Sequence, residues 1–129
     1  KYKLDSFKML TGIFAISILD TLSNKIYLVR DVVGVKPLYY YYNNLSKKFY
    51  FSSLIKSLLL CKPDKEINLE ALRSYANFNR NDLRETYFKG IFKVLPGEVV
   101  VVTKNDFVRN KLINLSPKKQ INIKRLTRK

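Results

Sequence analysis

The chain is 129 residues long, 47% hydrophobic with 9 Tyr and 8 Phe, and carries 25 Lys and Arg against 10 Asp and Glu, a formal net charge of +15. This is one domain's worth of sequence with enough apolar side chain to bury a core, which excludes a disordered chain, and no apolar run is long enough for a transmembrane helix or placed as a signal peptide requires. The absence of His removes Ser-His-Asp and Cys-His nucleophilic machinery and the commonest metal ligand, while a single Cys excludes an internal disulfide framework and fits a reducing, cytoplasmic setting.

In chain order, Gly12 to Leu19 is a near-continuous apolar run with the length of a strand buried on both faces. Asp20 to Lys25 supplies turn residues, and Ile26 to Val29 returns as a second strand. A charged corner follows, Arg30-Asp31, punctuated by Gly34 and Pro37. Beyond it lie two more strands, Leu38 to Tyr42 and Phe49 to Ser52, joined by the polar loop Asn43 to Lys48. The four strands are expected to form one antiparallel meander in sequence order. Tyr39 to Tyr42 alternate faces in such a strand, so only alternate rings are expected in a core.

Ser53 is placed to cap a short helix over Leu54 to Leu60, with Leu54 and Leu58, Ile55 and Leu59 at i,i+4 spacing. Asn68 is placed to cap a second helix, Leu69 to about Phe78, with Leu69, Leu72 and Ala76 on one face. Asn79 to Glu85 reads as a polar loop, and Tyr87 to Leu95 has no clear period. Pro96-Gly97 is a turn signal before Glu98 to Thr103, whose four consecutive valines predict a strand. Asp106 to Ile113 is expected to pair with it across Lys104-Asn105. From Ser116 onward the chain reads as a basic linker or tail.

Four blocks, in order, resemble one family. Leu10-Thr11-Gly12-Ile13-Phe14-Ala15-Ile16, ending in Asp20, is similar to that family's Gly-hydrophobic-Phe-Ala strand. Arg30-Asp31-x-x-Gly34-x-Lys36-Pro37-Leu38-Tyr39-Tyr40 resembles its charged corner. Phe51 to Leu58 resembles its Phe-Ala-Ser-Glu-Ile-Lys block, and Thr86-Tyr87-Phe88-Lys89-Gly90-Ile91 with Leu95-Pro96-Gly97-Glu98 resembles a pair of elements near the domain's end. The family is the glutamine-hydrolysing asparagine synthetases with a class II, N-terminal-nucleophile amidotransferase domain, and residues 1–115 resemble its C-terminal half, leaving 116–129 as the basic linker. Two positions depart from the pattern: Leu54 stands where Glu is usual and Thr11 where Asp or Asn is usual.

The resemblance implies an α+β fold, a partial Ntn-hydrolase-type layered sandwich of antiparallel β-sheets with flanking helices. It implies glutamine hydrolysis by an N-terminal Cys whose own α-amine takes the thiol proton, with ammonia passed to a synthetase domain that uses ATP and Mg to convert aspartate to asparagine. Lys1 occupies the first position, and the glutamine-clamping elements and the Gly-rich pyrophosphate loop are not among these residues, so no catalytic, substrate-binding or metal residue is assigned and the chain alone is expected to be inactive. The motif residues Gly12, Phe14, Arg30, Asp31, Gly34, Lys36, Pro37, Leu38, Tyr39, Phe88, Gly90, Ile91, Pro96 and Gly97 are expected to act structurally, with Arg30 and Asp31 as an ion pair pinning the corner; the alternative for these two is to orient substrate or contact the missing domain. Cys61 is internal, has no His to activate it, and is expected to be a half-buried small apolar residue.

The partners implied are glutamine, aspartate, the missing N-terminal half and the synthetase domain, with a homodimer left open. A different class II amidotransferase, acting on phosphoribosyl pyrophosphate or a sugar phosphate, is the alternative within the superfamily; the Thr-x-Phe-Lys-Gly-Ile block favours asparagine synthetase. A non-catalytic basic module is the alternative outside it, because residues 104–129 hold nine Lys or Arg against one Asp. No zinc-finger spacing or aromatic RNA-binding signature supports nucleic-acid binding, and the charge reads first as a solvated surface.

Overall fold

The computed structural model describes residues 4–78, 84–104 and 106–111. A 3-10 helix at Leu4–Met9 precedes β1 Ala15–Asp20, β2 Lys25–Arg30, β3 Tyr39–Asn43, β4 Lys48–Ser52, α1 Ile55–Cys61, α2 Leu69–Phe78, β5 Ile91–Lys93, β6 Glu98–Val102 and β7 Phe107–Lys111. The fold class is α+β, as expected. Residues 79–83 of the loop expected over Asn79 to Glu85, residues 112–113 of the strand expected over Asp106 to Ile113, and the basic tail lie outside the described residues, while Glu85 forms an antiparallel bridge with Phe92.

The single meander does not form. The strands divide into two antiparallel sheets, one ordered β1-β2-β6-β7 and the other β4-β3-β5. The first two strands remain a hairpin, but the segment between Arg30 and Tyr39 is a crossing to the second sheet instead of a turn. The place beside β2 goes to β6, paired from Ile26 opposite Val102 to Val29 opposite Val99. A run of four valines is apolar on both faces, so an interior position with strands on either side suits it better than an edge.

Two of the hairpins among the described residues, β1–β2 and β3–β4, use the same local device. Asp20 Oδ1 accepts from the N–H groups of Leu22 and Ser23 at 3.0 and 3.2 Å, and Asn24 closes the loop at φ 50°. Asn43 Oδ1 accepts from Leu45 and Ser46 at 3.0 and 3.1 Å, and Lys47 closes at φ 54°. An Asx side chain that substitutes for a backbone acceptor fixes these turns from sequence alone.

The core lies between the sheets. Leu28, Val100 and Val102 meet Leu38, Tyr40 and Val94, with Phe49 stacked on Tyr40 at 5.5 Å and 11°. Full burial of Leu28 and Val100 contributes about 2 kcal/mol each. The far face of the three-stranded sheet packs Tyr41 and Ile91 on Leu58 of α1. Neighbouring rings Tyr40 and Tyr41 are therefore both buried, against the expectation of alternate rings, because this sheet is covered on both faces. The far face of the four-stranded sheet packs Val29 and Val99 under Phe7.

The helices depart from expectation in detail. α1 starts one residue later than read, and Leu54 occupies the cap position in extended conformation with no side-chain cap. The hydroxyl that organises the entry is Ser52, which accepts from Leu54 N at 3.1 Å, not Ser53. Cys61, expected half-buried, is exposed at the end of α1. α2 is capped as read, with Asn68 Oδ1 accepting from Ala71 N at 3.2 Å. Ala71 is buried, while Leu69, Leu72 and Ala76 face outward. No helix among the described residues is long and apolar enough to cross a membrane.

Candidate functional site

The corner after β2 gathers more motif residues than any other place in the chain. Asp31 is 2% exposed and accepts three main-chain hydrogen bonds: Oδ1 from Val33 and Gly34, both at 2.8 Å, and Oδ2 from Phe14 at 3.1 Å. Its own carbonyl accepts from Gly97 N at 2.8 Å, and its N–H donates to Phe14 O. One residue thus ties the start of β1, the corner loop and the turn before β6. Burial works to raise the carboxyl's pKa, but the N–H groups of Gly34, Phe14 and Val33, helped last by the charge of Arg30, outweigh it and hold the group below its ordinary value.

Arg30 spends its guanidinium in the same way. Nε donates to Lys36 O at 2.9 Å, Nη1 to Val94 O at 2.7 Å and Nη2 to Gly34 O at 2.6 Å. The expected Arg30–Asp31 ion pair is replaced by two separate sets of main-chain bonds. The reason is supply: a chain reversing through Gly34 and Pro37 leaves carbonyls and N–H groups that no ladder satisfies, and a buried one must find a partner. Gly34 itself sits at φ 69°, and a Cβ there would lie 2.6 Å from Pro96 Cγ, so the corner loop and the Pro96-Gly97 turn touch with no room for a side chain.

The remaining motif residues divide by place. Leu38 is buried and its carbonyl accepts from Val94 N at 2.9 Å, extending the corner toward the core. Pro37 is half-buried, and Lys36 is exposed, contributing its carbonyl to Arg30. Tyr39, Phe88 and Ile91 form a second group on the α1 side of the three-stranded sheet. Gly90, at φ 77°, makes the tight turn between Phe88 and Ile91. Gly12, at φ 114°, has open space around it and belongs to neither group.

A second buried carboxylate was not singled out from sequence. Glu98 is 4% exposed and receives a two-pronged contact from Arg84, both N–O distances 2.7 Å, plus Leu95 N at 2.7 Å. The Glu98 hydrogen bond is the main cause of a raised Arg84 pKa. Arg109 donates to Tyr40 Oη at 2.7 Å and lies over the rings of Tyr40, Phe92 and Phe107. The available signal was a lone charge opening an all-valine strand, since such a charge on a buried face needs a partner. Near Cys61, Lys62 is turned away: its Nζ bonds Asp64 Oδ1 at 2.5 Å and lies over the Tyr41 ring.

Two antiparallel sheets share one core and are joined at the corner held by Arg30 and Asp31. Residues 2–112 match the glutamine amidotransferase domain, and the chain belongs to that family. It is 36% identical over 96 residues to asparagine synthetase (glutamine-hydrolyzing) 1 of Bacillus subtilis, covering 74% of this chain and 15% of that protein. It is 32% identical over 97 residues to a putative asparagine synthetase (glutamine-hydrolyzing) 2 of Methanocaldococcus jannaschii, covering 73% and 18%. The chain therefore spans less than a fifth of the length of these relatives.

Proposed function

We propose that this chain is the scaffold side of a glutaminase domain, of the N-terminal-nucleophile type, in an enzyme that passes ammonia from glutamine to aspartate. The two antiparallel sheets sharing one core, with α1 on one outer face, support the layered-sandwich reading, and the similarity to glutamine-hydrolysing asparagine synthetases supports the substrates. Hydrolysis of the glutamine carboxamide by this route takes attack by a thiolate, loss of ammonia and hydrolysis of the thioester. The nucleophile needs a thiol and a free α-amine on one residue. Cys61 has its nitrogen in a peptide bond, sits exposed at a helix end, and has no His anywhere in the sequence to serve as base.

The observation that carries the reading is the state of Arg30 and Asp31. Both polar heads are filled by main-chain partners, which leaves them as a brace and not as groups that hold substrate. ATP and Mg fit poorly on these residues, because the buried carboxylates Asp31 and Glu98 are already taken by main-chain N–H groups and by Arg84. The reading assigns both to a synthetase region. A glutaminase assay on the 129-residue chain tests it: glutamate release should equal the buffer blank. Release at an enzyme-like rate that disappears in Cys61→Ala would refute it.

A further inference from the structure

Arg109 closes the core where β7 lies over β5, and it brings a charge that no described carboxylate balances. Val100 faces the other sheet and stands opposite Arg109 on the β6–β7 ladder, so Arg109 projects from the same inter-sheet face. Lys111, opposite Glu98, follows on that face two residues later. The guanidinium carbon of Arg109 lies 5.0 Å from the centre of the Phe107 ring, 5.6 Å from Phe92 and 5.7 Å from Tyr40. Its Nε donates to Tyr40 Oη at 2.7 Å, and Tyr40 is wholly buried. Contact with three rings and a hydrogen bond to a buried phenol together fix the plane of the group.

Packing on the rings accounts for one face of the guanidinium and for Nε. Arg109 is nonetheless an exposed residue, and Lys111 beside it is exposed as well. With one face covered and Nε bound, the edge that carries Nη1 and Nη2 is the part turned to solvent. The ion pairs among the described residues are Lys62–Asp64, Arg84–Glu98 and Lys89–Glu66, and neither Arg109 nor Lys111 takes part in one. Glu98 is the carboxylate nearest in register, and Arg84 already occupies both of its oxygens. We propose that Arg109 and Lys111 form a binding site for a phosphate dianion, either inorganic phosphate or the terminal phosphomonoester of a small molecule. Residues two apart on a strand have their Cα atoms about 6–7 Å apart, a gap that one tetrahedral oxyanion spans. The arginine offers a planar two-pronged donor on one side and the lysine a point charge on the other. Because the guanidinium is held in place beforehand, binding costs less side-chain entropy than at a free arginine. Two cations without a competing carboxylate select a dianion over a singly charged group.

The test is a titration of the full isotope-labelled chain with inorganic phosphate, followed by NMR at constant ionic strength. It is run without glutamine, so that its outcome is separate from that of the glutaminase assay. Saturable shifts are expected at the Arg109 Nε–H and the Lys111 amide, with a Kd of roughly 1 mM. Arg109→Lys keeps the charge but loses the two-pronged donor, and should weaken binding roughly fivefold or more. Lys111→Gln should weaken it about threefold or more, while Lys56→Gln, which removes the same charge from α1, should leave it unchanged. The proposal is overturned if no shift saturates, or if Arg109→Lys binds phosphate as tightly as the parent chain. It is overturned equally if Lys56→Gln weakens binding as much as Lys111→Gln, since net charge would then be the cause. Dimethyl phosphate, a singly charged diester, should bind at least several-fold more weakly than phosphate; equal binding would assign the pair to a nucleic-acid backbone and reject the ligand proposed. Should Arg109→Lys unfold, the comparison of Lys111→Gln with Lys56→Gln still decides.

Discussion

Asp31 and Glu98 meet the same difficulty with opposite solutions. Both carboxylates are almost wholly buried, and they flank the same Pro96-Gly97 turn. Asp31 is satisfied by three backbone N–H groups, whereas Glu98 takes a guanidinium from Arg84 and one N–H from Leu95. A backbone donor cannot be mutated away, so the Asp31 site has no apolar substitute. A side-chain donor can be removed with its acceptor, so the Glu98 site can be replaced as a pair.

The largest effect should come from Asp31→Ala, which strands three N–H groups at once. A loss of roughly 3–5 kcal/mol in urea unfolding is expected, and a loss below about 1 kcal/mol would mean the brace is ornamental. The same site sets an acid limb. Because the Asp31 carboxyl lies below its ordinary value in the folded protein, its contribution is fully present above the unfolded pKa of about 3.9 and is lost as pH falls through the folded one. Asp31→Asn should flatten that limb, and an unchanged acid dependence would contradict the assignment.

Next in size is Gly34→Ala, expected to cost about 2–3 kcal/mol through its left-handed backbone and the 2.6 Å approach to Pro96. Adding Pro96→Ala should recover only the steric part, which a double-mutant cycle would measure. Glu98→Gln should cost about 2 kcal/mol by leaving the Arg84 guanidinium without a carboxylate, and here the comparison is sharpest. Adding Arg84→Met should return about 1 kcal/mol, because Gln can still accept from Leu95 N. If the second change deepens the loss instead, the pair is worth more than its desolvation. The smallest effect expected is from Arg109→Lys, about 1 kcal/mol, since an ammonium cannot lie flat over the rings of Tyr40, Phe92 and Phe107. Thermal unfolding would register it as a drop of a few degrees.

What sequence reveals here follows the range of the interaction. The two Asx-closed hairpins and the Asn68 cap were legible because donor and acceptor lie within three residues of each other. The β6–β7 pairing was legible from a valine run and a nearby turn. The split into two sheets was not, because it depends on β6 displacing a sequence neighbour from the side of β2, a choice decided by tertiary packing. The corner is visible as a motif but its bonding is not, because adjacent opposite charges suggest an ion pair while the unpaired backbone that claims them can only be seen in the fold. Arg84 and Glu98 are 14 residues apart and gave no local pattern at all.

Arg30 reaches Val94 across 64 residues. During synthesis the β1–β2 hairpin can close as soon as it emerges, since its contacts are short-range. The guanidinium, by contrast, has no Val94 carbonyl to grip until 64 further residues have been made, and closing a loop of that length comes at a higher entropic cost. The corner therefore works as a late latch: a nascent chain stopped before residue 94 holds a finished hairpin beside an unfastened brace, and the order in which the polypeptide appears becomes part of how the sheet is assembled.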